Sequence, residues 1–280
     1  MRSEPFGPLD RALPVIGHGT WQLEQDPRAA AVAAIRRAVD VGMTHIDTAE
    51  MYGSGWVEEL VREALQGMRE RVFLVSKVLP DNASFEGTIH ACEESLRRLG
   101  TDWLDLYLLH WRGRRPLERT IAAFERLREQ GKIRAWGVSN FDTPDLEETL
   151  ALAGEGRIAC NQVLYHLAER TIEHGVLPWC EQHRVALVAY SPLGSGDFPT
   201  GRERGASVLA EIAEARGVTP QAVALAFLVR NRSVFAIPKS GRERHVVANA
   251  AAGDLVLDDS EVARIDAAFP VGRWRGLACI

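Results

Sequence analysis

Residues 45–53 read HIDTAEMYG: an apolar stretch ends in a carboxylate, Asp47, and a phenol, Tyr52, follows five residues later. Alone, the two groups mean little. Asp47 is as suited to capping a helix as to chemistry, and a tyrosine is a poor acid near neutrality, with an unperturbed pKa of about 10. Other apolar runs end in the same way, at Lys77, His110, Ser139 with Asn140, Gln162, Tyr190 and Lys239. Each of these also has a structural explanation. Lys77 can reach out to water, His110 can be a satisfied core histidine, and Asn140 and Gln162 can pair with loop backbone. Taken together they suit one reaction. An ammonium beside Tyr52 would stabilise the phenolate and lower its pKa. A carboxylate beside that ammonium keeps it charged when buried. A histidine can donate to a carbonyl oxygen and hold it in place. The set can give a proton to a carbonyl oxygen that is becoming an alkoxide. No side chain delivers hydride to the carbonyl carbon, so a nicotinamide cofactor is implied.

For these groups to meet, the runs that carry them must be strands sharing one rim. THID (44–47), VFLVSK (72–77), WLDLYLLH (103–110), IRAWGVS (133–139), ACNQVLY (159–165), ALVAYS (186–191) and VFAIPK (234–239) are short and apolar, as parallel strands covered on both faces should be. DLVL (254–257) is the candidate eighth. Helical spacing fills the gaps at 27–42, 58–67, 84–100, 117–131, 143–154, 207–217, 219–231 and 243–252, and several of these stretches stop at glycine. Alternation of this kind predicts a single α/β domain over 1–280, a closed (β/α)8 TIM barrel whose C-terminal strand ends form the active-site mouth. An open doubly wound sheet is the competing architecture, but it should carry GxGxxG after its first strand, where this chain has DTAEMYGSG. The glycine-rich GHGT (17–20) reads as a turn at the barrel floor or rim.

Composition narrows the function classes. The chain has 280 residues, a formal net charge of −5 and a pI of about 5.9, which argues against a nucleic-acid or anionic-membrane binder. No signal peptide or spanning helix is visible. Cys92, Cys160, Cys180 and Cys279 lie far apart, as expected of reduced thiols in a cytoplasmic protein. No His, Cys and acidic residues fall at metal-ligand spacing. No activated serine or cysteine is evident, so hydrolysis is less natural than reduction.

The chain resembles an aldo-keto reductase over nearly its full length. The resemblance rests on LPVIGHGTW (13–21), HIDTAEMYG (45–53), VFLVSKV (72–78), DLYLLHW (105–111), GKIRAWGVSN (131–140), NQVLYH (161–166), AYSPLGSGD (189–197) and IPKS (237–240), in order and spacing as well as content. VLPWC (176–180) and CEESLRRL (92–99) are similar to a bacterial branch that reduces small aldehydes, including methylglyoxal. The resemblance implies a barrel with a short N-terminal β-hairpin over its floor and NADPH extended across the rim. It makes Tyr52 the general acid, tuned by Lys77 and Asp47, with His110 orienting the carbonyl. Tyr190 would stack on the nicotinamide, and Ser139, Asn140 and Gln162 would bond its carboxamide. Gly19, Thr20 and Asp47 would approach the cofactor, while Ser191, Leu193 and Ser195 would line the pyrophosphate. Lys239 and Ser240 would meet the adenosine phosphate, with Asn249 near the adenine and Asp197 closing a strap onto Lys239. Trp21 and Trp111 match pocket positions, and Trp56 and Trp274 are further candidates for its walls.

One position departs from the pattern. Six residues after Lys239, where many members carry an arginine that clamps the 2′-phosphate, stands His245. Imidazole does not replace a planar bidentate clamp, so the preference for NADPH should be weaker and use of NADH becomes possible. The expected partner is a small-molecule carbonyl, and the expected state a monomer. Two other functions fit parts of the pattern. One is a cofactor-binding sensor or accessory subunit with slow turnover. The other is a phosphate-binding barrel lyase or isomerase using Lys77 as a Schiff base.

Overall fold

Strands too short to be stable alone must be buried in a shared sheet, and parallel neighbours need a crossover helix between them. The computed structural model, which describes residues 1–201 and 204–280, shows this arrangement. An antiparallel hairpin, β1 (Ser3–Pro5) and β2 (Ala12–Pro14), comes first. Then follow β3 (His18–Gly19), α1 (Arg28–Asp40), β4 (His45–Asp47), α2 (Trp56–Ala64), β5 (Phe73–Val78), α3 (Phe85–Leu99), β6 (Leu104–Leu109) and α4 (Leu117–Glu129). The second half holds β7 (Ile133–Ser139), α5 (Thr143–Ala153), β8 (Ile158–Leu164), α6 (Val176–Gln182), β9 (Ala186–Tyr190), α7 (Arg204–Arg216), α8 (Pro220–Leu228), β10 (Val234–Ala236), α9 (Glu243–Ala251) and α10 (Asp259–Ala268).

Strands β3 to β10 pair in sequence order, every pair parallel. Parallel bridges Ile16–Ala236 and Gly19–Lys239 join the two edges, so the sheet closes into the expected (β/α)8 barrel. Side chains cap several of the helices. Ser84, Asp142 and Thr219 each accept a hydrogen bond from a backbone N–H three residues on, and proline occupies the first turn of α5 and α8. The hairpin seals the floor: Phe6 packs its ring 4.9 Å from Phe235, 5.4 Å from Phe73 and 5.8 Å from His45.

The eighth strand is not where the apolar pattern put it. Residues 254–257 are an irregular connection whose Leu255 and Leu257 pack half-buried against the core, which is why they alternate. The missing strand is His18–Gly19, inside the stretch read as a turn. Its glycines have a steric reason. A β-carbon on Gly19 would lie 2.7 Å from the Ile237 carbonyl oxygen, and one on Gly17 2.7 Å from that of His45. Only a bare backbone lets β3 close the barrel. Helices α6 and α10 also lie outside the segments read as helical. No helix among the described residues is long and apolar enough to cross a membrane.

Candidate active site

Parallel strands deliver their C-terminal residues to one rim, and β4 and β5 are neighbours in register. Asp47 ends β4 and Lys77 sits near the end of β5, both almost fully buried. An ammonium has three N–H donors, and Lys77 uses one on each of three acceptors. They are Asp47 Oδ1 at 2.6 Å, the Thr48 carbonyl at 2.8 Å and Tyr52 Oη at 3.1 Å. Asp47 is satisfied in turn, because Gln162 Nε2 donates to its Oδ2 at 2.8 Å. Thr20 fixes the strand end by donating its backbone N–H and its hydroxyl to the Asp47 carbonyl. A tight turn over Tyr52–Gly55, with Gly53 and Ser54 both at positive φ, brings the phenol back over β5.

Because the Tyr52 oxygen accepts from Lys77, its own O–H is left to donate elsewhere. Burial pushes the phenol above its ordinary pKa, while Lys77 pulls it down. Burial wins, so the expected lowering is not found in the site as it stands, and the phenol keeps its proton. Burial also works against the Lys77 charge, but Asp47 and then Tyr52 outweigh it and raise the ammonium's pKa. His110 follows β6 directly. Burial, helped by the Lys77 charge, lowers its pKa to about 2, so the imidazole is neutral. Its ring stands edge-on to Tyr52 at 5.9 Å and 5.0 Å from the Trp111 ring, and its Nδ1 is buried without a partner.

These groups face a cavity of about 440 Å³ in the rim. Asp47, Tyr52 and His110 form its deep end beside Trp21 and Trp111. Gly19, Thr20, Ser139, Asn140, Gln162, Tyr190, Ser191, Leu193, Ser195 and Lys239 line the rest, so these sequence-predicted residues share one cleft. Ser139 donates to the Gln162 carbonyl at 2.9 Å, Asn140 Nδ2 to the His110 carbonyl at 3.1 Å, and Tyr190 Oη to Asn140 Oδ1 at 2.8 Å. Among the described residues, six non-glycine positions have positive φ, and four of them, Gln22, Asn140, Ser191 and Ser195, line this cavity. Left-handed backbone held at such cost concentrates at binding sites, where it turns amides toward a ligand.

Ser240, His245 and Asn249 lie outside the cavity wall. Ser240 bonds within its own turn, accepting from Arg242 N at 3.1 Å, and Asn249 is buried on α9. His245 is exposed, and its Nε2 accepts from Arg244 Nε at 3.2 Å. Lys239 does not meet Asp197. Its ammonium pairs with Asp26 at 2.7 Å. Trp56 lies under the Arg28 guanidinium, 5.3 Å from its carbon, and Trp274 is exposed rather than folded over the pocket. The tail instead contributes Ile280, and Gln22, Met51, Pro192, Gly196, Ile237 and Pro238 complete the lining. Ile237 and Pro238 immediately precede Lys239 and could have been inferred from it. Nothing local marks Ile280 or Asp26.

The aldo/keto reductase family pattern matches residues 15–269. Methylglyoxal reductase YeaE of Escherichia coli strain K12 is 49% identical over 95% of this chain and 94% of its own length. A glyoxal reductase of Bacillus subtilis is 35% identical, covering 91% and 88%. An aldo/keto reductase of Klebsiella pneumoniae, crystallised with NADP and acetate, superposes with a TM-score of 0.93 at 46% identity and full coverage of both chains.

Proposed function

The chain belongs to the aldo/keto reductase family and is a carbonyl-reducing oxidoreductase; we propose that it reduces small aldehydes and dicarbonyls such as methylglyoxal with NADPH, Tyr52 being the proton donor. The cleft suits such a nucleotide. Tyr190 offers a half-buried flat ring, Ser139, Asn140 and Gln162 offer amide and hydroxyl partners at the deep end, and left-handed Ser191 and Ser195 curve a small-residue loop along the groove. These residues would hold the dinucleotide with its nicotinamide against Tyr190 and its adenosine end toward Lys239. NADPH, when bound there, supplies the hydride.

The chain's own groups do the rest. A substrate carbonyl entering between Trp21 and Trp111 meets Tyr52 and His110. Neutral His110 donates one N–H toward the oxygen and fixes its direction. As negative charge grows on that oxygen, Tyr52 passes its proton to it. The Lys77 ammonium then faces a phenolate at 3.1 Å, and the transfer is eased by that attraction. Asp47 keeps Lys77 charged throughout. The apolar walls, including Met51 and Ile280, admit small substrates and shield the reacting atoms from water.

The observation that carries this reading is the contact between Lys77 Nζ and Tyr52 Oη, with the other two ammonium donors already committed. The test is steady-state NADPH oxidation with methylglyoxal, benzaldehyde and a sugar in the parent and in Tyr52→Phe. General acid catalysis contributes about 10²–10⁴-fold, so kcat should fall by about that factor while NADPH still binds. An unchanged rate would remove Tyr52 as donor. Tight NADPH binding by the parent with no reduction of any substrate would instead identify a sensor.

A further inference from the structure

At the far end of the cleft, the Lys239 ammonium, a cation suited to an extra phosphate, is already paired. Lys239 Nζ meets Asp26 Oδ2 at 2.7 Å across 213 residues of chain, with each side chain about one-third exposed. The Ser240 hydroxyl and the Arg244 guanidinium beside it are engaged elsewhere. The Ser240 hydroxyl bonds both the N–H and the carbonyl of Arg242, at 3.1 and 3.3 Å. The Arg244 guanidinium donates to His245 Nε2, and a ring nitrogen that accepts carries no proton, so His245 adds no charge there. The pair is also built into the backbone. A β-carbon at position 241 would collide with the Asp26 carboxylate, so the glycine there is what lets Asp26 come so close. The left-handed turn at Gln22 opens the loop that ends in Asp26.

We propose that Asp26 is a specificity-determining residue for the nucleotide: its carboxylate competes with a phosphate on the adenosine ribose for the Lys239 ammonium and so narrows the margin between phosphorylated and unphosphorylated cofactors. The proposal rests on the reading of the groove as a dinucleotide site with Lys239 at its adenosine end. A phosphate can use Lys239 only by displacing the carboxylate or by sitting beside it, and two anions on one cation repel each other. A nucleotide without that phosphate does not compete and leaves the pair intact.

The test uses fragments rather than turnover. Adenosine 2′,5′-bisphosphate and adenosine 5′-monophosphate differ by the one phosphate in question, and their Kd values for the parent and Asp26→Asn are read by calorimetry. The variant keeps the shape of the side chain against Gly241 and removes its charge. The bisphosphate should bind about five- to tenfold tighter to the variant at low salt, with the gain shrinking as salt rises. The monophosphate should change by less than about twofold. In a Lys239→Met background the gain should vanish. Weaker bisphosphate binding by Asp26→Asn would overturn the proposal by showing that Asp26 positions Lys239 for the phosphate. Equal changes for both fragments would overturn it by showing that the effect ignores the phosphate. If neither fragment binds either protein, the nucleotide reading of the groove fails, which is a separate result from a failure of Asp26 alone.

Discussion

A buried ammonium is tolerated only where every N–H has an acceptor and a negative charge lies close. Lys77 meets both conditions, and Asp47 supplies the charge. Asp47→Asn leaves an uncompensated cation in the barrel, so it should cost about 3–5 kcal/mol of stability as well as activity. Urea unfolding of the variant checks this, and a loss below about 1 kcal/mol would mean that Lys77 sheds its charge instead. A second expectation concerns His110. With its pKa lowered to about 2, chiefly by burial, it is neutral through the working range. The pH profile of kcat/KM should therefore show no histidine inflection near 6.5, and one that disappears in His110→Gln would refute the neutral form. The sequence alone placed Asp47, Lys77 and His110 on one rim, because strand ends in a parallel barrel share it, with Tyr52 close behind Asp47 in the chain. It could not find the partner of Lys239. Asp26 and Asp197 carry the same chemistry, and only the folded path of the loop after β3 selects between them.

Elements were legible to the degree that burial imposed a period on them. Strands β5, β6 and β8, buried along their whole length, stand out as apolar runs. Strand β3 has only two residues, one of them glycine, and no hydrophobic signal can mark it. What marks it is sterics, since Gly19 must pass within contact of Ile237. Gly19→Ala should therefore act on the fold before it acts on any ligand. The added methyl forces the β3–β10 seam apart and should destabilise the protein by about 1–3 kcal/mol, seen as a lower urea midpoint with unchanged m-value. Unchanged stability with weakened nucleotide binding would show that the glycine serves the cofactor instead. Helix α6 hides behind Pro178, in only seven residues. Helix α10 did carry a readable start, a capping box in which Asp258 accepts from Glu261 N and Glu261 accepts from Asp258 N.

For the molecule as a whole, the barrel's histidines set its response to acid. His18 and His45 are fully buried with both ring nitrogens unpaired, and burial lowers each pKa to about 4. His110 is lowered further, to about 2. All three are neutral in the folded state at a pH where an unfolded histidine, with a pKa of about 6.5, has bound a proton. The unfolded state thus holds more protons below that pH, and stability must fall as pH falls. The stabilisation from excluding these protons is complete above 6.5. It is lost steadily down to about 4 for His18 and His45 and to still lower pH for His110. Three groups at about 1.4 kcal/mol per pH unit each give a slope approaching 4 kcal/mol per unit once pH is well below 6.5. Native proteins have only about 5–15 kcal/mol to lose, so this loss, up to about 10 kcal/mol by pH 4, is a large share of the barrel's stability and precedes most carboxylate titration. Urea midpoints at successive pH values from about 7.5 to about 4.5 measure the slope directly. His45→Leu should lower it by about 1.4 kcal/mol per pH unit, the contribution of one histidine. The leucine should also keep the contacts with Phe6 and Phe73 that the ring makes now. A midpoint that stays level through that range would mean that the buried imidazoles are protonated and paired in the fold, and the neutral His110 invoked for carbonyl orientation would fall with them.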